Sequence, residues 1–439
     1  MAMDYELIVS RINYASLFAF VFFLFFAWFY IFYFIIACIP VKLLPDSDKH
    51  AKFAVLIPAR NESKVIKGIL DCFLKMDYPR EFFEVFVIVE TSEDPTVQIV
   101  EDAGFKVVIR KDLEGKRTKG YALDEAYKSI KESGEHFDAY MVFDADNIVK
   151  PDYLRHMNNC YQEGYQVSVG YRNFTNANKN WLCACSAVLF AYINQFTSRG
   201  RSLLFKKATL TGTGYYIAGE ILDNEGGWIW NGMTEDVQLT TYCYYHNVKM
   251  HYYPHAMYYD EQSEKFSITR KQHCRWVWGY FADRKQFKKK ENVYETKNKF
   301  VRFLSLFEYN VSIIPFIVIT VVFLLCFIAS FILMIIAAVN LYENIGFVIA
   351  RTIFQFFILR FVFMFASAFT LGIDNKNLKF GFFRCLSVVL TYILFFGSFV
   401  VGFLDGLFHK SARTNWKKIE HTGVVTNNDA IKVENAKKR

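Results

Sequence analysis

No Cys-x-x-Cys pair and no Cys/His cluster at zinc spacing occurs in this 439-residue chain, whose nine cysteines are scattered and odd in number. That pattern argues against a disulfide scaffold and fits reduced thiols facing a cytosol. The nearest pair, Cys183-Ala184-Cys185, reads as packing. No Gly-x-Gly-x-x-Gly follows a strand and no Walker-type Gly-Lys-Ser/Thr is present, so dinucleotide-dependent redox chemistry and ATP hydrolysis lose support. A concentrated basic patch is also missing: the formal charge of +8 is modest and dispersed, and nucleic acid is not an expected partner. Charge is absent altogether from Ala15 to Val41. That run, rich in Phe, Trp and Tyr, is too long for a signal-peptide core and is expected to span a bilayer once. Only Arg11 is basic before it, whereas Lys42, Lys49 and Lys52 follow, so the positive-inside bias puts the next segment in the cytoplasm.

What the chain has in excess is apolar surface: 53% of its residues are hydrophobic and 47 are Phe, more than an ordinary soluble enzyme carries. A membrane accounts for that excess. From Lys52 to roughly Asn178, short apolar runs alternate with helical patterns, which predicts repeated βα units in a mostly parallel, doubly wound α/β sheet. Phe53–Ile57 reads as the first strand, stopping at Pro58, and Val65, Ile66, Ile69, Leu70 and Phe73 form a helical stripe to cover it. Val85–Val89, ending at Glu90, and Phe105–Ile109 are the next strands. The polar loop from Gly115 to Gly120 then opens a helix carrying Ala122, Leu123 and Ala126. A fourth strand, Ala139–Phe143, ends in Asp144-Ala145-Asp146-Asn147. Alternate residues of an extended chain share a face, so Asp144 and Asp146 are expected to point the same way at the mouth of the sheet. Hard oxygen ligands there suit Mg²⁺ or Mn²⁺ carrying a diphosphate.

The aromatic second half yields fewer elements. Trp181–Phe196 is short for a span and reads as a helix lying at the membrane surface or buried in the domain. Gly212 and Gly214 either let backbone approach a ligand or make a turn. In Thr234-Glu235-Asp236, Thr234 suits an N-cap and Asp236 falls in the first helical turn, where an acid either complements the helix dipole or acts as a general base. Gln272, Arg275, Trp276 and Gly279 share one helical face. Arg matches phosphate oxygens and Trp offers a platform for a sugar ring, while a membrane-interface belt would show the same residue types. Lys119 suits a phosphate contact or a solvated charge.

After a basic, amphipathic stretch from Lys285 to Phe307, three apolar segments near Ile313–Val339, Ile345–Ile373 and Phe380–Phe408 return to the membrane. Arg351 and Arg360 in the middle segment must face a partner or a wet cavity. Lys410, Arg413, Lys417 and Lys418 follow the last segment. Three full crossings put this tail outside the cell, whereas the positive-inside bias keeps it in the cytosol, and the sequence leaves both open.

Taken in order, Ile57-Pro58-Ala59-Arg60-Asn61-Glu62, Lys119-Gly120, Asp144-Ala145-Asp146, Thr234-Glu235-Asp236 and Gln272-x-x-Arg275-Trp276 resemble the motifs of the family 2 glycosyltransferases. The closest resemblance is to their membrane-embedded, often processive branch, which includes hyaluronan, chitin, cellulose and poly-N-acetylglucosamine synthases. It covers about Lys52 to Tyr280 plus the flanking spans. It implies a GT-A, Rossmann-like catalytic domain over residues 46–290, on the cytosolic face of the cell membrane. A transmembrane helix in 1–45 would precede it. An interfacial helix with C-terminal transmembrane segments in 291–408 and a basic tail in 409–439 would follow.

The resemblance also implies a nucleotide-sugar donor, usually a UDP-sugar, a glycan or lipid acceptor, and surrounding membrane lipid. By it, Pro58, Arg60, Glu62 and Glu90 lie near the nucleoside, Lys119 near the diphosphate, and Asp144 and Asp146 at the nucleotide and the metal. Gly212, Gly214 and Glu235 complete the expected substrate-binding set. Asp236 matches the catalytic base, and Gln272, Arg275 and Trp276 match the motif that closes over the diphosphate and the acceptor sugar. Two positions depart from the family: Glu90 stands where many members carry Asp, and His273 where Arg is frequent. The implied reaction is a single in-line displacement that turns an α-linked donor into a β-glycoside. A non-processive transferase acting on a lipid carrier, and an inactive relative serving as scaffold or transporter in glycan export, are the alternatives.

Overall fold

The structure is a computed structural model, and it describes residues 5–284, 286–287, 298–312, 314–339 and 345–409. A long helix, α1 (Tyr5–Ala37), leads into β1 (Phe53–Pro58), α2 (Ile66–Phe73), β2 (Phe83–Val89), α3 (Thr96–Asp102), β3 (Lys106–Ile109), α4 (Lys119–Glu132) and β4 (Ala139–Val142). β1 lies between β2 and β4 and runs parallel to both, with β3 parallel on the outer edge of β2. β4 is buried throughout, and so is β1 up to its last residue. Strands covered on both faces read as continuous apolar runs, which is why this half of the sheet is visible in the sequence.

The second half departs from the expected parallel order. It contains β5 (Ile148–Val149), α5 (Tyr153–Gln162), β6 (Val167–Phe174), α6 (Trp181–Tyr192), α7 (Arg199–Phe205), β7 (Tyr215–Ala218), α8 (Gly219–Glu225), α9 (Glu235–Tyr245), β8 (Met250–Asp260) and α10 (Phe266–Asp283). The strand order is β3-β2-β1-β4-β7-β6-β8-β5. β7 runs antiparallel to β4 and β6, and β5 antiparallel to β8, so the sheet is mixed. β6 is buried along its whole length although it carries Ser168, Arg172 and Asn173. Those polar residues broke the apolar pattern that marks a buried strand.

Two cores flank the sheet. Ile69, Phe73, Phe143, Tyr153 and Tyr258 belong to one, and Leu123, Ala126, Tyr140, Trp230 and Tyr242 to the other. Truncating a fully buried member such as Ile69 to Ala costs about 2–5 kcal/mol. Within Trp181–Phe196, most of α6 is buried. α6 packs on Leu371, Leu378, Val388, Tyr392 and Phe395 from the C-terminal helices.

Those helices are α11 (Lys299–Val311), α12 (Ile314–Val339), α13 (Ile345–Leu378) and α14 (Phe382–Phe408). Among the described residues one helix, α14, is long and apolar enough to cross a membrane. The Arg360 guanidinium donates to the Leu390 carbonyl of α14 (3.1 Å), which is a partner of the kind the sequence demanded. The Arg351 side chain, the boundary near residue 290 and the tail from residue 410 lie outside the described residues.

Candidate active site

β4 ends at Val142, so Asp144 precedes a turn and Asp146 lies within it, and strand alternation is not what aims them. Asn147, fully buried, does that. Its amide oxygen accepts from the Asp144 N–H (3.3 Å) and from the Thr213 hydroxyl, and its amide nitrogen donates to Asp146 Oδ1 and Asp260 Oδ1 (both 3.2 Å). Every hydrogen-bonding capacity of that amide is thereby used. Thr213 Oγ1 also accepts from the Asp144 N–H (3.0 Å). Asp260, the last residue of β8, takes Arg172 Nε at 3.0 Å and Arg172 Nη2 on Oδ2, while Arg172 Nη1 donates to the Thr211 carbonyl (2.6 Å). Burial pushes the Asp146 carboxyl well up, and the neighbouring charges of Asp260 and Asp144 add to it, with Arg172 opposing.

Lys119, the first residue of α4, reaches this loop. Its Nζ donates to Asp144 Oδ1 and to the Gly212 carbonyl (2.8 Å), and stands 3.9 Å from Glu235 Oε1. Burial works against its charge, but Asp144 and Glu235 outweigh burial and raise its pKa, leaving a firm cation. Gly212 has φ +88° and a Cβ there would lie 3.8 Å from Asp236 Oδ2, so its backbone conformation, not lack of space, asks for glycine. Gly214 is placed differently. A Cβ on it would fall 2.0 Å from the Tyr258 ring, which makes it a close-packing glycine beneath the loop.

Asp236 occupies the first turn of α9, where its Oδ1 accepts from the Val237 N–H (2.9 Å). Thr234 holds the N-cap position without capping, because its N–H and hydroxyl both donate to Asp283 instead. Burial pushes Glu235 up to about 7, with Lys119 pulling down and Asp236 pushing up. The Asp236 carboxyl is likewise raised, chiefly by burial. A base poised nearer neutrality is matched to taking a proton from a hydroxyl.

From α10, Gln272, Arg275 and Trp276 face the same space. Trp276 stands edge-on to Phe190 (5.9 Å, 85°). Arg275 makes no hydrogen bond or ion pair among the described residues, and although burial lowers its pKa, Glu235, Asp236 and Asp144 attract its charge. Its fork of donors is available to an anion. His273 turns away from the site: its ring stacks on Phe399 of α14 (3.6 Å, 13°) and Nδ1 lies 2.6 Å from Ser398 Oγ. The departure from Arg at this position therefore belongs to packing on α14.

Pro58, Arg60, Glu62 and Glu90 line the other end, where Arg60 Nε meets Glu90 Oε2 at 2.9 Å. A single cavity of about 2380 Å³ takes in these residues together with Lys119, Asp144, Asp146, Gly212, Glu235, Asp236, Gln272, Arg275 and Trp276. Its wall continues along Phe361, Phe365 and Phe396 of the C-terminal helices. Sequence reasoning missed Asn147, Arg172, Thr213 and Asp260. Two signals were present: Asp260 ends a strand as Asp144 follows one, and Arg172 is a charge inside a segment of strand spacing.

Residues 50–279, just over half of the chain, match the family model for glycosyltransferase like family 2, and the chain belongs to that family. It is 28% identical over 235 residues to a probable glycosyltransferase YdaM of Bacillus subtilis, covering 52% of this chain and 55% of that protein. It is 25% identical over 229 residues to a poly-beta-1,6-N-acetyl-D-glucosamine synthase of Staphylococcus epidermidis, with 51% and 53% covered. It is 28% identical over 193 residues to a beta-monoglucosyldiacylglycerol synthase of Trichormus variabilis, with 43% and 40% covered. The chain thus matches about half the length of these curated relatives. Among solved structures, the mannosyltransferase PcManGT from Pyrobaculum calidifontis, in complex with GDP-Man and Mn²⁺, aligns with a TM-score of 0.52 at 16% identity, over 83% of this chain and 99% of that one. The mixed sheet is therefore a GT-A-like glycosyltransferase fold.

Proposed function

We propose that this chain is a membrane-bound, inverting β-glycosyltransferase that moves a sugar from a nucleotide-sugar donor, with UDP-sugars the first to test, onto a growing polysaccharide. The observation that carries this reading is convergence. Lys119, Asp144, Asp236 and Arg275 come from separate elements of the chain and line one cavity. Asp236 takes the proton of the acceptor hydroxyl as its oxygen attacks the anomeric carbon, and the nucleoside diphosphate leaves from the opposite face. Lys119 and Arg275 set positive charge against the charge that develops on the leaving group. Trp276 gives the acceptor sugar a flat apolar surface. Pro58, Arg60, Glu62 and Glu90 receive the nucleoside.

The donor set also fits a divalent cation. Among the described residues no three His, Cys, Asp or Glu side chains form a metal cage. Two carboxylates, Asp144 and Asp146, suit Mg²⁺ or Mn²⁺, which keeps water and diphosphate oxygens in its shell. A cation bound there would offset diphosphate charge.

α14 supports membrane attachment, and we take the apolar helices α1, α12 and α13 as further spans on their sequence alone, with residues 46–290 on the cytosolic side. A second reading, transfer of a single sugar to a lipid acceptor, draws support from the aromatic wall at Phe361, Phe365 and Phe396, which suits an apolar tail. Incubating membranes with a panel of nucleotide sugars and measuring nucleoside diphosphate release tests the activity, and product length separates polymer from single transfer. Absence of release from every donor by folded protein favours the scaffold or transporter alternative and sinks the proposal.

A further inference from the structure

The loop that carries Asp236 is gripped from two sides. Towards α4, Thr118 Oγ1 donates to the Asn231 carbonyl (2.7 Å), and a Cβ on Gly120 would lie 2.1 Å from the Trp230 carbonyl oxygen. Towards α10, a Cβ on Gly279 would lie 2.5 Å from Thr234 Cγ2. One turn further along, Asp283 Oδ2 accepts both the Thr234 N–H and the Thr234 hydroxyl, each at 2.7 Å. Asp283 Oδ1 stands 3.5 Å from Gln238 Nε2, and Gln238 Oε1 accepts from the Gly232 N–H (2.8 Å). Asp283, Thr234 and Gln238 are all buried, so these bonds do not compete with water. Trp276, Gly279 and Asp283 recur at i, i+3 and i+7, along one face of α10. A single helix thus carries the candidate acceptor platform and the clamp on the base loop.

We propose that Asp283 is a positioning residue that ties the Asp236 loop to α10 and so sets the base against the hydroxyl of an acceptor resting on Trp276. This rests on the roles given to Asp236 and Trp276 above. Asp283→Ala frees Thr234 while leaving Lys119, Asp144, Asp146 and Arg275 in place. Water is small enough to reach a displaced base, but a sugar held on Trp276 is not free to follow it.

The ratio of sugar transfer to donor hydrolysis should therefore fall by about 10–10²-fold, the scale of a misplacement near 1 Å, with UDP affinity unchanged. Asp283→Asn, whose amide oxygen keeps both bonds, should restore most of the ratio. Thr234→Val, which removes one bond and keeps the shape, should lower it less, and covers the case in which Asp283→Ala does not fold. An unchanged ratio in Asp283→Ala, or in Thr234→Val if that is the only one to fold, would reduce the clamp to a fold-stabilising contact and overturn the proposal. Asp236→Asn measured alongside separates the two ideas. If it retains transfer, the base assignment falls and this proposal with it, whereas an inactive Asp236→Asn beside an unchanged Asp283→Ala ratio overturns the positioning role alone.

Discussion

β1, β2 and β4 bury side chains that ask their neighbours only for volume, while β6 and β8 bury groups that each need a named partner. Ser168 finds the His251 carbonyl (3.1 Å), Arg172 finds Asp260, Asn173 finds the Asn377 carbonyl (3.2 Å) and Tyr171 finds Asp374. A buried polar group costs free energy unless it is bonded. The parallel half, which carries the proposed donor side, is thus fixed by local pattern. The mixed half, which carries the proposed acceptor side, is fixed by contacts more than 80 residues apart in sequence, some of them with α13. Donor binding and sugar transfer should therefore respond to different substitutions.

The largest effect is expected on the donor side. Asp146→Ala removes one of two carboxylates proposed to hold the cation and should abolish Mn²⁺-dependent UDP binding in calorimetry. Unchanged affinity would end the metal assignment and, with it, the division between the halves. Asp236→Asn comes next. It keeps shape but cannot accept a proton at neutral pH, so transfer and donor hydrolysis should both drop about 10²–10⁴-fold with UDP affinity little changed. Near-normal transfer in this variant would remove Asp236 from the chemistry.

Trp276→Ala tests the acceptor side alone. It deletes a surface packed against Phe190 and leaves Lys119, Asp144 and Asp236 in place. Transfer should fall more than hydrolysis, and any polymer should shorten, because water still reaches the donor. Stacking of a flat apolar face is worth about 0.5–1.5 kcal/mol, or roughly two- to twelvefold in acceptor affinity. Joint loss of UDP binding would show that the two sides are not separable.

The same contrast explains what was legible in the sequence. β1, β2 and β4 show as runs because burial on both faces favours apolar residues along the whole strand. Asp236, Arg275 and Lys119 were visible through their motifs, and the cavity brings them together. The mixed sheet order was not visible, since Arg172 and Asn173 interrupt a strand whose charge is balanced 88 residues away at Asp260. Asp283 belongs to none of the motifs that the sequence displays. Its partner, Thr234, lies 49 residues upstream, and no local spacing records that pairing.

The smallest and most discriminating test lies where the halves meet, at the first turn of α9. Glu235 sits 3.9 Å from Lys119 and next to Asp236, and burial, resisted by Lys119 and helped by Asp236, pushes it up to about 7. A carboxyl with a raised pKa keeps its proton to higher pH, so Glu235 holds its proton below about 7 and loses it above, beside an Asp236 whose own ionisation burial also delays. The base is then competent on the alkaline side, and kcat/KM for transfer should rise with pH through an acid limb. Glu235→Gln removes the neighbouring negative charge. Asp236 should then ionise more easily and the limb should move to lower pH, while the plateau rate changes by less than the ~10²-fold lower bound for losing a base. A limb that stays in place would mean that the Glu235 charge does not reach Asp236, and that burial, opposed by Lys119 and Arg172, sets its ionisation. A limb that moves to higher pH would mean that Glu235 normally helps Asp236 to ionise, the reverse of repulsion between like charges.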